Sequence, residues 1–121
     1  MSLINKVIQI AEEIAKITGY AIDRKDNVIF LSCPDSPFKL QIKVNVNVIE
    51  FSLVYEGLED YVDELIDSGE DVREAIEYEI SDVKNIARRI KSKLKELNVN
   101  VIDRIKEAEL DVYDIVEEYL S

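Results

Sequence analysis

The fold is decided by the stretch FKLQIKVNVNVIEFSLVY, residues 38–55. Apolar side chains occupy every second position over 38–44 and again over 49–55, which is the period of a strand with one buried face. The apolar positions are even-numbered before 45–47 and odd-numbered after it, as expected where a turn joins two paired strands. This stretch therefore predicts an antiparallel hairpin with one solvent-facing side.

Upstream of the hairpin, the sequence predicts one helix and two further short strands. Wound as a helix, residues 3–18 place their apolar side chains on one half of the cylinder, and Gly19 suits a left-handed helix end. Residues 20–24 and 28–33 are short extended runs on either side of a polar turn. We therefore expect an N-terminal helix followed by an antiparallel meander of three to four strands.

Downstream of the hairpin, the hydrophobic period becomes helical. A short helix over 58–66 is followed by an apolar stripe that begins at Val72 and continues to Leu97, about 40 Å of helix. Residues 98–100 interrupt the stripe, and Asn100 is a suitable N-cap for a last helix. Two helices joined across so short a break predict a long antiparallel helical hairpin at the C-terminus.

The charge distribution divides the chain where the period changes. Residues 1–55 contain six basic and six acidic side chains, whereas 56–121 contain nine basic and twenty acidic ones, which accounts for the whole net charge of −11. In the second part, 56–82 has twelve acids and one base, 83–106 has eight bases and two acids, and 107–121 has six acids and no base. The length fits one domain. We therefore predict a single α+β domain with a neutral helix-and-sheet part and a polarised helical part.

The long helix contains a candidate interaction surface. Apolar residues from 76 to 101 alternate at spacings of four and three, the pattern of a heptad seam. Such a seam either forms a subunit interface or packs on the last helix of its own chain, and the sequence leaves both open. Glu79 lies within the apolar arc, either buried with a basic partner or on the flank of the seam. The candidate interaction residues are Ile76, Glu79, Ile80, Val83, Ala87, Ile90, Leu94 and Leu97.

A basic face on the same helix has three possible roles. It consists of Lys84, Arg88, Lys91 and Lys95, at spacings of four, three and four. These side chains could pair with the acidic residues 56–82 of the same or another copy, be solvated, or contact a nucleic-acid backbone. We favour pairing because blocks of opposite charge coexist on one chain. The basic block has no aromatic residue for base stacking, and the net negative charge of the whole chain disfavours binding to nucleic acid.

The residue types exclude most common catalytic chemistry. The chain has no histidine, the usual general base and the commonest zinc ligand. Its three glycines all fall at helix boundaries, so none remains for a phosphate-binding loop. Cys33, the single cysteine, cannot form an internal disulfide and is expected to be a packed thiol. We therefore expect no catalytic residue, no cofactor and no metal site, although acids at helical spacings keep a magnesium-dependent hydrolase as a hypothesis.

These features predict a non-catalytic protein-interaction module: a homodimeric accessory subunit, adaptor or small chaperone that acts through its charged helical part. The alternatives are a nucleic-acid-associated factor that uses the basic face and, third, the magnesium-dependent hydrolase. The order of elements is similar to that of small dimeric secretion chaperones, a likeness of architecture that assigns no residue. No apolar run is long enough to span a bilayer, and one cysteine suits a reducing cytoplasm. The Ile-, Glu- and Lys-rich composition suits a heat-adapted source.

Overall fold

The first element of the computed structural model, which describes residues 2–121, is the predicted N-terminal helix. This helix, α1, spans Leu3–Thr18, and the side chain of Ser2 caps its start by accepting a backbone hydrogen bond. Gly19 ends the helix at φ +79°, and its N–H donates to the carbonyl of Ala15 over 2.9 Å. Glycine adopts this left-handed conformation without the steric cost of a Cβ atom.

Four antiparallel strands follow and form the predicted meander. They are β1 (Ala21–Lys25), β2 (Val28–Ser32), β3 (Phe38–Asn45) and β4 (Val48–Tyr55). Strands that are neighbours in the chain are neighbours in the sheet, and the β3–β4 register places Ile42 opposite Phe51. Every second side chain is buried from Phe38 to Val44 and again from Ile49 to Leu53, so the alternation in 38–55 sets both the pairing and the buried face.

The second part of the chain contains the three predicted helices and, in addition, one strand that the sequence did not predict. These elements are α2 (Leu58–Asp67), α3 (Val72–Leu94) with a 3-10 turn at Lys95–Leu97, β5 (Asn100–Asp103) and α4 (Ile105–Leu120). Strand β5 pairs in parallel with β4, so the sheet is mixed and has the order β1-β2-β3-β4-β5. The prediction that Asn100 caps the last helix is wrong, because its N–H donates to the carbonyl of Asn47 (3.1 Å) as part of the sheet.

The free edge of β4 explains this difference. After the meander forms, β4 still offers one row of unpaired backbone groups, and Val101 and Ile102 are β-branched residues that prefer strands. Sheet pairing therefore overrides the helical period in this segment. Arg104 occupies the N-cap position of α4 without a side-chain capping bond, and the carboxylate of the preceding Asp103 accepts a hydrogen bond from the N–H of Ile105 over 2.8 Å.

Helices α3 and α4 form the predicted antiparallel hairpin, with β5 inserted between them. Arg73, near the start of α3, pairs with Glu117, near the end of α4. Lys84, near the middle of α3, pairs over 2.6 Å with Glu109, in the first half of α4. The α+β class, with an N-terminal helix, a sheet, a short helix and a C-terminal helical hairpin, is thus confirmed.

The hydrophobic core joins the two parts of the chain. One cluster of buried apolar side chains includes residues of α1, the sheet and the three C-terminal helices. Helices α1 and α3 pack against β3 and against each other. The largest fully buried side chains are Phe38, Phe51, Ile29, Leu31, Leu40, Ile42, Ile49, Ile76, Ile80, Ile90, Leu94 and Val7.

Candidate functional site

The heptad seam of α3 belongs to the core of its own chain. Six of its residues are buried within the single chain, and Leu97 is half-buried. Helix α3 packs on α1 and β3 as well as on α4. The part of the seam from Ile76 to Leu94 therefore packs within its own chain. The six buried residues are Ile76, Ile80, Val83, Ala87, Ile90 and Leu94.

The basic face pairs with acids, but not with the acidic residues 56–82. Lys84 contacts Glu109 and Lys91 contacts Asp103, both close to the start of α4. Lys91 also lies 5.4 Å from the centre of the Phe51 ring. Two of the four predicted cations are therefore engaged inside the chain. The remaining two, Arg88 and Lys95, are exposed, and Arg88 donates to the side chain of Asn85.

The acidic segment 56–82, by contrast, has no ion-pair partner for any of its carboxylates among the described residues. Its one base, Arg73, binds Glu117 through two hydrogen bonds, so this cation is also taken by another segment. The negative charge of α2 and of the first half of α3 is thus uncompensated. The acids that do form ion pairs in residues 2–121 are Glu13, Glu50, Asp103, Glu107, Glu109 and Glu117.

A tight turn brings these unpaired acids together. Ser68 ends α2, with its hydroxyl donating to the carbonyl of Glu64 (2.9 Å), and Gly69 follows at φ +75°. Asp71 then starts α3, because its carboxylate accepts a hydrogen bond from the N–H of Glu74 over 3.1 Å. The chain reverses direction between the helices, so acids that are distant along the sequence line one concave surface.

This concave surface, which we call the acidic cleft, has a volume of about 820 Å³. That size is within the range of ordinary ligand pockets. Five carboxylates and two tyrosines line it, with no basic side chain among them, and Tyr78 is 67% exposed. The lining residues are Tyr61, Glu64, Leu65, Ser68, Glu70, Asp71, Glu74, Ala75, Tyr78 and Glu79.

Glu79, which the sequence left unassigned, is half-buried at the inner side of this cleft. Burial and the charges of Glu79 and Glu70 raise the pKa of Tyr61. Burial and the charges of Glu79 and Asp82 likewise raise the pKa of the Cys33 thiol. Since desolvation and negative charge both disfavour an anion, these hydroxyl and thiol groups stay protonated near neutral pH. The thiol of Cys33 is therefore poorly suited to nucleophilic attack.

Helix α4 braces the acidic cleft from outside. Tyr119 donates a hydrogen bond to Asp63 of α2, which raises the pKa of Tyr119 to about 12. The two hydrogen bonds between Arg73 and Glu117 tie the start of α3 to the same end of α4. The C-terminal turns of α4 thus contact both helices that form the cleft and hold their relative position.

The cleft has the chemistry of a site for cations. Carboxylates attract ammonium and guanidinium groups, and the ring of an exposed tyrosine adds a cation–π contact. In residues 2–121, no group of three or more Asp, Glu or Cys side chains is placed to hold a metal ion. No helix in the same part of the chain combines the length and apolar character needed to cross a membrane.

Sequence reasoning found the acidic segment but missed the cleft. Tyr61 lies in the apolar stripe of α2, and Tyr78 lies on the polar side of α3, so neither was singled out. The signal that could have found the site is the Ser68-Gly69 turn, which is flanked by acids and reverses the chain between two helices.

Comparison with known proteins gives no relative for this chain: no family model, no curated protein and no solved structure matches it.

Proposed function

We propose that this chain is a non-catalytic protein-interaction module that binds a basic segment of a partner protein in the acidic cleft. The observation that carries the proposal is the coincidence of unpaired negative charge and a concave surface. Five carboxylates line the cleft, and no carboxylate of 56–82 has an ion-pair partner within residues 2–121. A surface of this kind costs free energy through self-repulsion unless a cation neutralises it.

The tyrosines and apolar residues of the cleft favour a peptide over a simple ion. Leu65 and Ala75 contribute apolar surface beside the carboxylates, and Tyr78 offers an exposed aromatic ring. Lysine and arginine side chains combine an apolar stem with a charged head, so they match this mixture. Within this proposal the chain is a homodimeric accessory subunit, adaptor or small chaperone of the cytoplasm, and its partner is a protein.

The test is a binding titration with a defined cationic probe. A fluorescein-labelled peptide of alternating lysine and leucine is titrated with the protein, and fluorescence anisotropy gives the dissociation constant at low and at high salt. The acidic counterpart, alternating glutamate and leucine, is the probe control. We expect binding of the lysine peptide that weakens with salt, because exposed charge pairs are screened.

Two triple variants of equal net charge separate the cleft from general acidity. The first is Glu70→Gln, Glu74→Gln and Glu79→Gln in the cleft; the second is Asp111→Asn, Asp114→Asn and Glu118→Gln on α4. Exposed ion pairs contribute about 0.2–1 kcal/mol each, so the loss of three should weaken binding of the cleft variant about 3-fold to about 160-fold. Equal weakening by both variants would refute a site in the cleft, since it would show attraction by net charge alone.

A further inference from the structure

The two edges of the sheet differ in how they are protected against pairing with another chain. Strand β1, at one edge, has Asp23, Arg24 and Lys25 among its five residues. Strand β5, at the other edge, has Val101 and Ile102 at its centre, and each is 39% exposed. Charged side chains at an edge oppose pairing with a second sheet. The middle of β5 has no such protection.

The outward backbone groups of β5 are also free. The N–H groups of Asn100 and Arg104 donate to carbonyls of the neighbouring strand region, at Asn47 (3.1 Å) and Phe51 (2.8 Å). Because successive residues of a strand direct their backbone groups to opposite sides, those of residues 101 and 103 point away from β4. Among the described residues, no backbone hydrogen bond outside the β4–β5 pairing satisfies these groups.

We propose that β5 of one chain pairs antiparallel with β5 of a second copy, about a two-fold axis at Ile102. The inference rests on the self-association included in the proposed function and specifies its surface. Val101 of each chain then lies opposite Asp103 of the other, and these two pairs exchange four backbone hydrogen bonds. Ile102 lies opposite Ile102 of the second copy as a non-hydrogen-bonded pair, and the two sheets become one sheet of ten strands.

The same register suits the charges of the chain. Asp103 lies opposite Val101 and Arg104 lies opposite Asn100, so no like charges are opposed. Self-complementarity of this kind favours a second copy over an unrelated extended peptide as the occupant.

The position of β5 also keeps the two acidic clefts apart. Lys91 of α3 contacts Asp103 of β5, whereas the nearest cleft residue on the same helix is Glu79, about 18 Å away along the helix axis. This separation exceeds two Debye lengths at physiological ionic strength. Two chains of net charge −11 can therefore meet at β5 without bringing their most negative surfaces together.

A disulfide placed on the proposed axis tests this geometry. Residues directly opposite in a non-hydrogen-bonded antiparallel pair have Cα atoms about 4.5 Å apart, which lies within the range of disulfides. In a Cys33→Ser background, Ile102→Cys should give a disulfide-linked dimer under mild oxidation at micromolar concentration. Val46→Cys, at an 87% exposed position in the β3–β4 turn, is the control and should remain monomeric on non-reducing gels. Equal cross-linking of both variants would overturn the proposal.

A proline at the edge tests the hydrogen bonds separately. Val101→Pro removes only an outward N–H, which an edge strand tolerates, whereas Val101→Ala keeps that N–H. Sedimentation equilibrium should show a dimer for the wild type and the alanine variant, and a dissociation constant at least tenfold higher for the proline variant. If circular dichroism shows that the proline variant is unfolded, Ile102→Lys is used in its place. This substitution would put two positive charges opposite each other on the two-fold axis.

The outcomes distinguish this inference from the proposed function. A monomeric wild type, or a proline or lysine variant that is folded and still dimeric, would overturn pairing through β5. Binding of the lysine peptide is measured independently and should be the same in Val101→Pro as in the wild type, because the cleft lies at the other end of α3.

Discussion

Replacing Ile80 by alanine distinguishes the two roles that the sequence left open for the heptad seam. Ile80 is fully buried in the single chain. The substitution deletes three carbon groups, which contribute about 2.4 kcal/mol at about 0.8 kcal/mol each. The cavity left behind brings the expected loss of unfolding free energy to about 3 kcal/mol, within the ~2–5 kcal/mol typical of such substitutions.

Urea unfolding followed by circular dichroism measures this loss. With a denaturant slope of about 1.5 kcal/mol per molar, the midpoint should fall by about 2 M while the slope stays the same. Ile17→Ala is the matched control, since Ile17 is also helical but 71% exposed, and its effect should stay within about 0.5 kcal/mol. Both variants share any gain in helix propensity, so the difference between them reports burial.

The result that would refute this reasoning is a change of association without a change of stability. If Ile80→Ala unfolds at the wild-type urea concentration but sediments as a smaller species, the seam is a subunit interface. If Ile17→Ala and Ile80→Ala destabilise the chain equally, α3 does not bury this face.

Three further predictions concern the single residues Cys33, Glu117 and Gly69. The rate at which iodoacetamide alkylates Cys33 should rise with pH, with a midpoint above the ordinary cysteine pKa of about 8.5, since burial and then the charge of Glu79 raise the pKa of the thiol. Glu79→Gln should lower that midpoint pH, and a wild-type midpoint below the ordinary value would contradict the prediction. The hydrogen bond from Arg73 lowers the pKa of Glu117 in the folded chain. The Arg73–Glu117 interaction therefore stabilises the fold above the pKa that Glu117 has in the unfolded chain, and this stabilisation is lost as the pH falls through its pKa in the folded chain. Thermal unfolding should therefore show an advantage of wild type over Glu117→Gln at neutral pH and low salt that decreases as the pH falls below about 4.3, the ordinary glutamate pKa; an advantage independent of pH would exclude the ion pair as its source. Gly69→Ala should cost roughly 1–2 kcal/mol in urea unfolding, because φ +75° forces a Cβ atom into a strained position; an unchanged midpoint would show that this turn relaxes.

Most of the fold could be predicted because local hydrophobic patterns in the sequence indicate most of its helices and strands. The change of parity across 45–47 sets the β3–β4 hairpin, and the stripe from Val72 onward sets α3. Strand β5 could not be predicted in this way, since the residues 100–103 also continue a helical period. Their conformation is decided by the free edge of β4, which exists only after the meander has formed.

The candidate site was harder to predict than the fold. The sequence showed that the acids of 56–82 outnumber its bases, but not which of them lack partners. Pairing of Lys84 with Glu109, rather than with that segment, depends on the antiparallel arrangement of α3 and α4. The burial of the heptad seam likewise depends on α1 and β3, which are distant in sequence.

The most direct test of binding in the acidic cleft is a ¹H–¹⁵N correlation spectrum of the labelled protein titrated with the lysine–leucine peptide. Each backbone amide reports its own environment, so the perturbed amides locate the bound peptide on the chain. We predict that the largest shifts fall on Tyr61 and on the amides from Ser68 to Glu79, with the core strands unchanged. Shifts of equal size along the acidic residues 107–121 would contradict the account, because they would show attraction to charge without a site.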